Sequence, residues 1–212
     1  MSTPRTLLLF GPGKYFGFEL ARLFGSKGFH IVLLARDEER LVDMQRRLNA
    51  LDIPCDVFGV DVRKSDELHL IISKLALTKP PIHAVIFNIK GDTANETSAD
   101  QITEHLSVAV GGAYSVIQTV TPVLVQDASI LLTGGGLKDN PDASKLALSI
   151  SKSALHTLYL AIIEPLKRKR IFLKTVVIDG MVRDTGPILP GTVADAFWNA
   201  FEQDTTDPVY VR

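Results

Sequence analysis

Gly11-Pro12-Gly13-Lys14-Tyr15-Phe16-Gly17 stands between an apolar run, Thr6-Leu7-Leu8-Leu9-Phe10, and an amphipathic segment, Phe18-Glu19-Leu20-Ala21-Arg22-Leu23-Phe24. Strand, glycine loop and helix in that order are the context in which a glycine-rich motif holds a dinucleotide. Without Cβ atoms, the loop lets backbone N–H groups approach a pyrophosphate, which rests against the positive end of the helix. Gly11, Gly13 and Gly17 are the glycines placed to do this, and Gly17 is expected to let the helix pack close to the sheet. The glycines fall as GxGxxxG, so a tight turn without a ligand is the competing reading.

Outward from this loop, short apolar runs alternate with longer segments in which apolar residues recur at three and four. The runs predict strands at Thr6–Phe10, His30–Leu34, Cys55–Val60, Ala84–Asn88, Ser129–Thr133, Phe172–Ile178 and Pro208–Val211. Helices are predicted at Phe16–Lys27, Glu38–Ala50, Ser65–Leu77, Ala99–Leu124, Ala143–Arg168 and Thr192–Gln203, with Asp37 as N-cap of the second and Ser65 at the start of the third. The strands are dense in Val, Ile and Leu with little alternation, as parallel strands covered on both faces are. The expectation is an α/β fold: a doubly wound parallel sheet of about seven strands in a three-layer αβα Rossmann arrangement, with residues 1–212 as one domain.

Composition narrows the function. Of 212 residues, 46% are apolar and 22% charged, and 23 Lys and Arg against 24 Asp and Glu give a net charge of −1. No global field recruits nucleic acid or an anionic membrane, so partners must be found in local sites. The only cysteine, Cys55, excludes an intrachain disulfide framework and cysteine-based metal clusters, and none of the five histidines pairs at a ligand spacing. The expectation is no metal and a reducing, cytoplasmic setting. Thr6–Phe10 is too short for a signal core or a membrane span, and Leu146–Ile163 is interrupted by Ser149, Ser151, Lys152, Ser153 and His156. The basic run Lys167-Arg168-Lys169-Arg170 is read as a solvated helix end complementing the macrodipole.

The second predicted strand ends Leu34-Ala35-Arg36, where an acid would bind a ribose 2′-hydroxyl. Arg36 can instead grip a 2′-phosphate, and Lys14 adds a second positive charge beside it, which favours NADP(H) over NAD(H). The alternative is that Arg36 is only an exposed residue before a helix.

Glycine loop, Leu34-Ala35-Arg36, Asp61-Val62 after the third strand and Asn88 after the fourth follow an order that resembles the short-chain dehydrogenase/reductase family, through nearly the whole chain. The resemblance implies that Asp61 hydrogen-bonds the adenine amino group and that Val62 supplies a backbone contact to the ring. It also places Asn88 in the family's Asn-Asn-Ala-Gly motif, which here reads Phe87-Asn88-Ile89-Lys90 with one position matching. Lys152 looks like the active-site lysine, which also holds the nicotinamide ribose. Asp179-Gly180 resembles a Pro-Gly turn near the nicotinamide, and Thr185 stands where a threonine often touches the carboxamide.

Departures from the pattern bear on chemistry. Tyr15 replaces the middle glycine of the loop, and Tyr-x-x-x-Lys becomes Leu148-Ser149-Ile150-Ser151-Lys152. The serine after the fifth strand is replaced by Thr133 or lost as Gly134, depending on register, and no asparagine falls near Ser107–Ala109. Leucine cannot transfer a proton, and Tyr114, Ser144, Ser149, Ser151 and Tyr159 are read as packing or surface residues in preference to replacements. Two functions follow from the resemblance. One is an NADP(H)-dependent oxidoreductase acting on an unknown small carbonyl or alcohol, with Lys152 and Thr133 in catalytic roles. The alternative is a catalytically silent NADP(H)-binding sensor or interaction protein, and a scaffold without nucleotide is a third. A homo-oligomer through the helix containing Ala109–Ala113 is expected, and the 181–191 segment takes the place of a short substrate lid.

Overall fold

In the computed structural model, which describes residues 4–13, 16–91 and 98–212, seven strands form one sheet. They are β1 (Arg5–Phe10), β2 (Phe29–Ala35), β3 (Cys55–Gly59), β4 (Ile82–Phe87), β5 (Leu124–Gly135), β6 (Ile171–Ile178) and β7 (Val209–Val211), in the spatial order β3-β2-β1-β4-β5-β6-β7. Every neighbouring pair is parallel. The helices are α1 (Gly17–Ser26), α2 (Glu38–Asn49), α3 (Ser65–Thr78), α4 (Ala99–Leu106), α5 (Gly112–Val120), α6 (Leu146–Lys167) and α7 (Pro190–Glu202).

Both faces of the sheet are covered, which is why its strands show so little alternation. On β1, Leu7 and Leu9 point into a layer with Leu20, Phe24 and Phe197, while Leu8 and Phe10 point into one with Val116, Ile117 and Leu155. Thus α1, α2 and α7 close one face and α3, α5 and α6 the other, the three layers expected from the sequence. Phe24 packs edge-on to Phe29, Trp198 and Phe201 at centroid distances of 5.1–5.6 Å, tying α1 and β2 to α7. Burying one such side chain contributes about 1.5–3 kcal/mol.

Element boundaries differ from the sequence reading mainly around the predicted helix Ala99–Leu124. It runs as α4, a π-helical turn at Ser107–Gly111, α5 and a 3-10 turn at Thr121–Val123. Small residues at Ala109, Gly111 and Gly112 permit the widened turn, and Pro122, lacking an N–H, ends the helix, so β5 starts at Leu124. Asp37 caps α2 through its side chain to the Arg40 N–H at 3.1 Å. Pro190 opens α7, two residues before the expected start, since its fixed φ suits a first helical turn. Two helical stretches, Ala99–Val123 and Ala143–Lys167, are long and apolar enough to cross a bilayer, and here both lie against the sheet with Val116, Val120, Leu155 and Tyr159 in its core.

The strand order reverses between β1 and β4. Their crossover connections leave in opposite directions there, which opens a crevice beyond the carboxyl ends of the strands.

Candidate functional site

A cavity of about 1380 Å³ occupies that crevice. Its lining includes Gly11, Gly13, Arg36, Asp61, Val62, Asn88, Thr133 and Gly180 from six separate strand ends, and Lys152 from α6. Gly17 lies just behind the loop, and Lys14 and Tyr15 fall outside the described residues.

At the phosphate end, the Gly11 N–H donates to the Leu34 carbonyl at 2.8 Å as the chain leaves β1. Gly11 adopts φ +69°, and a Cβ there would lie 2.6 Å from the Ile89 side chain and 3.1 Å from the Asn88 backbone. Only glycine satisfies both the left-handed conformation and the close approach. The Asn88 Nδ2 donates to the Gly11 carbonyl at 2.9 Å, and the Asn88 N–H to the Phe10 carbonyl at 2.9 Å, so this asparagine bridges the switch point. Gly17 has a different task from the one expected: a Cβ there would strike Pro12 backbone atoms at 2.7 Å, so it makes room for the returning loop rather than for the sheet.

Arg36 follows β2 as an exposed cation facing the cavity, with Asp37 and Arg40 beside it. Arg40, which the sequence reading passed over, leans from the first turn of α2 to bring its guanidinium 3.5 Å from the Pro12 carbonyl. Its position four residues after Arg36, in the capped first turn, is the signal that could have found it. Asp61 is clamped by Arg63, whose Nε lies 2.9 Å and 3.1 Å from the two carboxylate oxygens, and Arg63 also reaches Glu104 on α4 at 2.6 Å. Those hydrogen bonds hold the Asp61 carboxyl down at about 2. Val62 turns its side chain into the core, where a Cβ at Gly112 would meet it at 2.5 Å.

At the other end, β5 delivers Thr133 and α6 delivers Lys152. The Lys152 Nζ donates to the Thr133 carbonyl at 2.7 Å. The Thr133 Oγ1 is buried and, among the described residues, has no hydrogen-bond partner. A Cβ at Gly135 would sit 3.3 Å from the Lys152 stem, and one at Gly134 would meet Thr175 and Val177. Thr133 pairs with Val176 of β6, which belongs to the layer closed by α7, so the lysine meets the backbone of Thr133, while position 135, a glycine, is where a side chain would reach it. Burial first, and then the positive charge of Lys90, bring the Lys152 ammonium down to about 8. Leu148, about 6 Å earlier along α6, lines the same cavity and puts a hydrocarbon beside the lysine.

Other sequence candidates separate clearly. Tyr159 is buried with its hydroxyl donating to the Thr206 carbonyl, so it belongs to the core. Tyr114 is 43% exposed, and Thr185 is exposed and outside the cavity lining. Ser144 does line the cavity, with its hydroxyl given to Asp142 at 2.7 Å. Ser149 and Ser151 are held by backbone groups. His105, missed in the sequence, lines the cavity from α4, its ring lodged where a Cβ on Gly91 would be 2.5 Å away. Among the described residues, no group of histidine, cysteine and carboxylate side chains could hold a metal.

The family model described as short chain dehydrogenase matches residues 5–186. The chain is 24% identical over 123 residues to a very-long-chain 3-oxoacyl-CoA reductase of the yeast Vanderwaltozyma polyspora, covering 55% of this chain and 34% of that protein. It thus spans about a third of that curated relative. Among solved structures, an actinorhodin polyketide ketoreductase with NADPH superposes with a TM-score of 0.88 at 18% identity, over 100% of this chain and 97% of the other. A metagenomic short-chain oxidoreductase in complex with NADP gives 0.85 at 22% identity, covering 98% and 96%. At such identities these likenesses establish the shared fold.

Proposed function

The chain belongs to the short-chain dehydrogenase/reductase family, and we propose that it is an NADP(H)-dependent oxidoreductase acting on a small carbonyl or alcohol. The observation that carries this reading is the convergence of a Cβ-free loop, Arg36, Asn88 and Lys152 on one cavity. The groups present fit a dinucleotide: Gly11 and Gly13 leave backbone room for a diphosphate, and Arg36 with Arg40 supplies cations for a 2′-phosphate. Lys14 would add to that charge. Asp61 and Val62 line the adenine end, while Lys152, anchored on the Thr133 carbonyl, lines the ribose and nicotinamide end with Gly180.

When bound, the nicotinamide supplies a hydride to a carbonyl carbon, and the carbonyl oxygen gains a proton to become an alcohol. Lys152 keeps a positively charged donor at that end, and the buried Thr133 hydroxyl offers a hydrogen bond to a substrate oxygen. Leu148 takes no part in proton movement, so turnover relies on these weaker donors. Titration calorimetry with NADPH and NADH tests the reading. NADPH should bind more tightly, and Arg36→Ala should weaken it ~10–100-fold towards the NADH level, the loss of a charge-assisted pair. Absence of heat with either nucleotide would refute the reading.

The alternative, a catalytically silent NADP(H) binder serving as a sensor or partner-docking protein, is favoured by one observation: Leu148 fills the cavity where a proton donor would stand. Failure of NADPH oxidation across a broad carbonyl panel, with the cofactor bound, would decide for it.

A further inference from the structure

Four carboxylates line the cavity, and each is engaged elsewhere. Asp37 caps α2, Asp61 is clamped by Arg63, Asp142 holds Ser144 with Lys145 at 3.5 Å, and Asp179 lies 3.8 Å from Arg212 at the end of β7. Two ammonium groups in the same lining, Lys90 and Lys152, form no ion pair among the described residues. Lys90 follows β4 directly, two residues past the Asn88 that bonds the Gly11 carbonyl, and Ile89 packs on Gly11 between them. It therefore stands beside the glycine loop. Lys152 comes to the same cavity from α6, fixed to the Thr133 carbonyl at 2.7 Å.

Two like charges lining one cavity repel, and after burial the Lys90 charge is the second cause that lowers the Lys152 ammonium. An anion placed between them removes that repulsion and gains two charge-assisted hydrogen bonds. We propose that Lys90 and Lys152 form one oxyanion subsite, which takes either a carboxylate on the substrate or the diphosphate of the cofactor. The inference rests on the oxidoreductase reading and adds to it a recognition element absent from the sequence analysis, where Lys90 figured only as a mismatch. If the substrate supplies the oxyanion, the substrate class narrows to oxo acids and their hydroxy-acid products.

The test compares the wild type with Lys90→Ala and Lys90→Arg, each checked for an unchanged melting temperature, as expected for an exposed side chain. NADPH is titrated into each protein. Acetoacetate and its uncharged methyl ester are then titrated, both with and without saturating NADP. Acid binding about tenfold tighter than ester binding, lost in Lys90→Ala and kept in Lys90→Arg, identifies a substrate carboxylate. NADPH affinity reduced about tenfold in Lys90→Ala, with acid and ester bound alike, identifies the cofactor diphosphate. Indifference of every titration to Lys90 overturns the subsite. Wild type that binds no NADPH overturns the oxidoreductase reading instead, and the acid-against-ester comparison on the free protein still judges the subsite by itself.

Discussion

The two ends of the cavity are built by different means. Around β1, β2 and β4, the lining consists of backbone made accessible by glycine, an asparagine that ties two strands together, and cations from the start of α2. Around β5 and α6, it depends on single side chains: a lysine, a buried threonine hydroxyl and, where a proton donor would serve, Leu148. The first end presents glycine backbone and cations, while the second presents an ammonium beside a hydrocarbon. On the proposed reading, cofactor binding and proton transfer are separable properties of this fold. Losing general acid assistance costs rate without disturbing the geometry that binds.

The largest expected effect breaks the asymmetry directly. Leu148→Tyr places a phenol one turn before Lys152, on the same face of α6, where the ammonium can lower its pKa. For any carbonyl the protein reduces, kcat should rise by ~10²–10⁴, while the NADPH dissociation constant changes less than about twofold. Stopped-flow NADPH oxidation with parallel calorimetry reads both. Native turnover as fast as the variant's would show that proton supply does not limit the wild type, and the contrast between the two ends would lose its chemical meaning.

A smaller effect sharpens the comparison through two glycines. Gly11→Ala must force a side chain into φ +69° and into contact with Ile89 and the Asn88 backbone, so a loss of ~1–3 kcal/mol in stability is expected, with weakened NADPH binding. Gly135→Ala meets only the flexible stem of Lys152 at 3.3 Å, with φ unrestricted. Its stability should change by less than about 1 kcal/mol, although the lysine shifts. Denaturant unfolding of both variants checks the difference, and equal losses would show that the phosphate end is no more demanding of its backbone than the chemical end.

How much of this was legible in the sequence follows the same division. The sheet was readable because burial on both faces leaves continuous Val, Ile and Leu runs, and every predicted strand is present with ends shifted by a few residues. The positions of Gly11, Gly13 and Arg36 at the strand ends were readable because backbone conformation and charge leave residue-type signatures at fixed offsets. What escaped depends on contacts between distant segments. Arg63 reaching Glu104, His105 against Gly91, and Lys90 and Lys152 lining one cavity join residues far apart in the chain, and none has a spacing rule. The role of Gly17 was misread for the same reason, since its neighbour is the loop and not the sheet. The approach of position 135 to Lys152 needed the strand register, which a run of small residues, Gly134-Gly135-Gly136, does not declare.

The smallest expected effect concerns protons at the chemical end. Lys152 is held at about 8 by burial and by Lys90, well under its ordinary 10.5. It is charged below about pH 8 and neutral above, so NADPH affinity should decline a few-fold as pH rises through that value, where the ammonium is lost to an anionic ligand. Stability should move the opposite way. The unfolded chain keeps the lysine protonated up to about 10.5 while the folded one has released its proton, so between these values the unfolded state binds more protons and stability rises with pH. Lys174, also lowered to about 8 by burial, contributes in the same sense to stability, but it lies on β6 against the carbonyls at the end of α7 and has no part in binding. The two readouts thus divide the lysines. Lys90→Ala removes a neighbouring cation, so the midpoint of the affinity decline should move upward, whereas the share of the stability change due to Lys174 should stay in place. Calorimetry and thermal melts from pH 7 to 10 measure both, and an affinity midpoint that ignores Lys90 would show that burial alone sets the charge of Lys152.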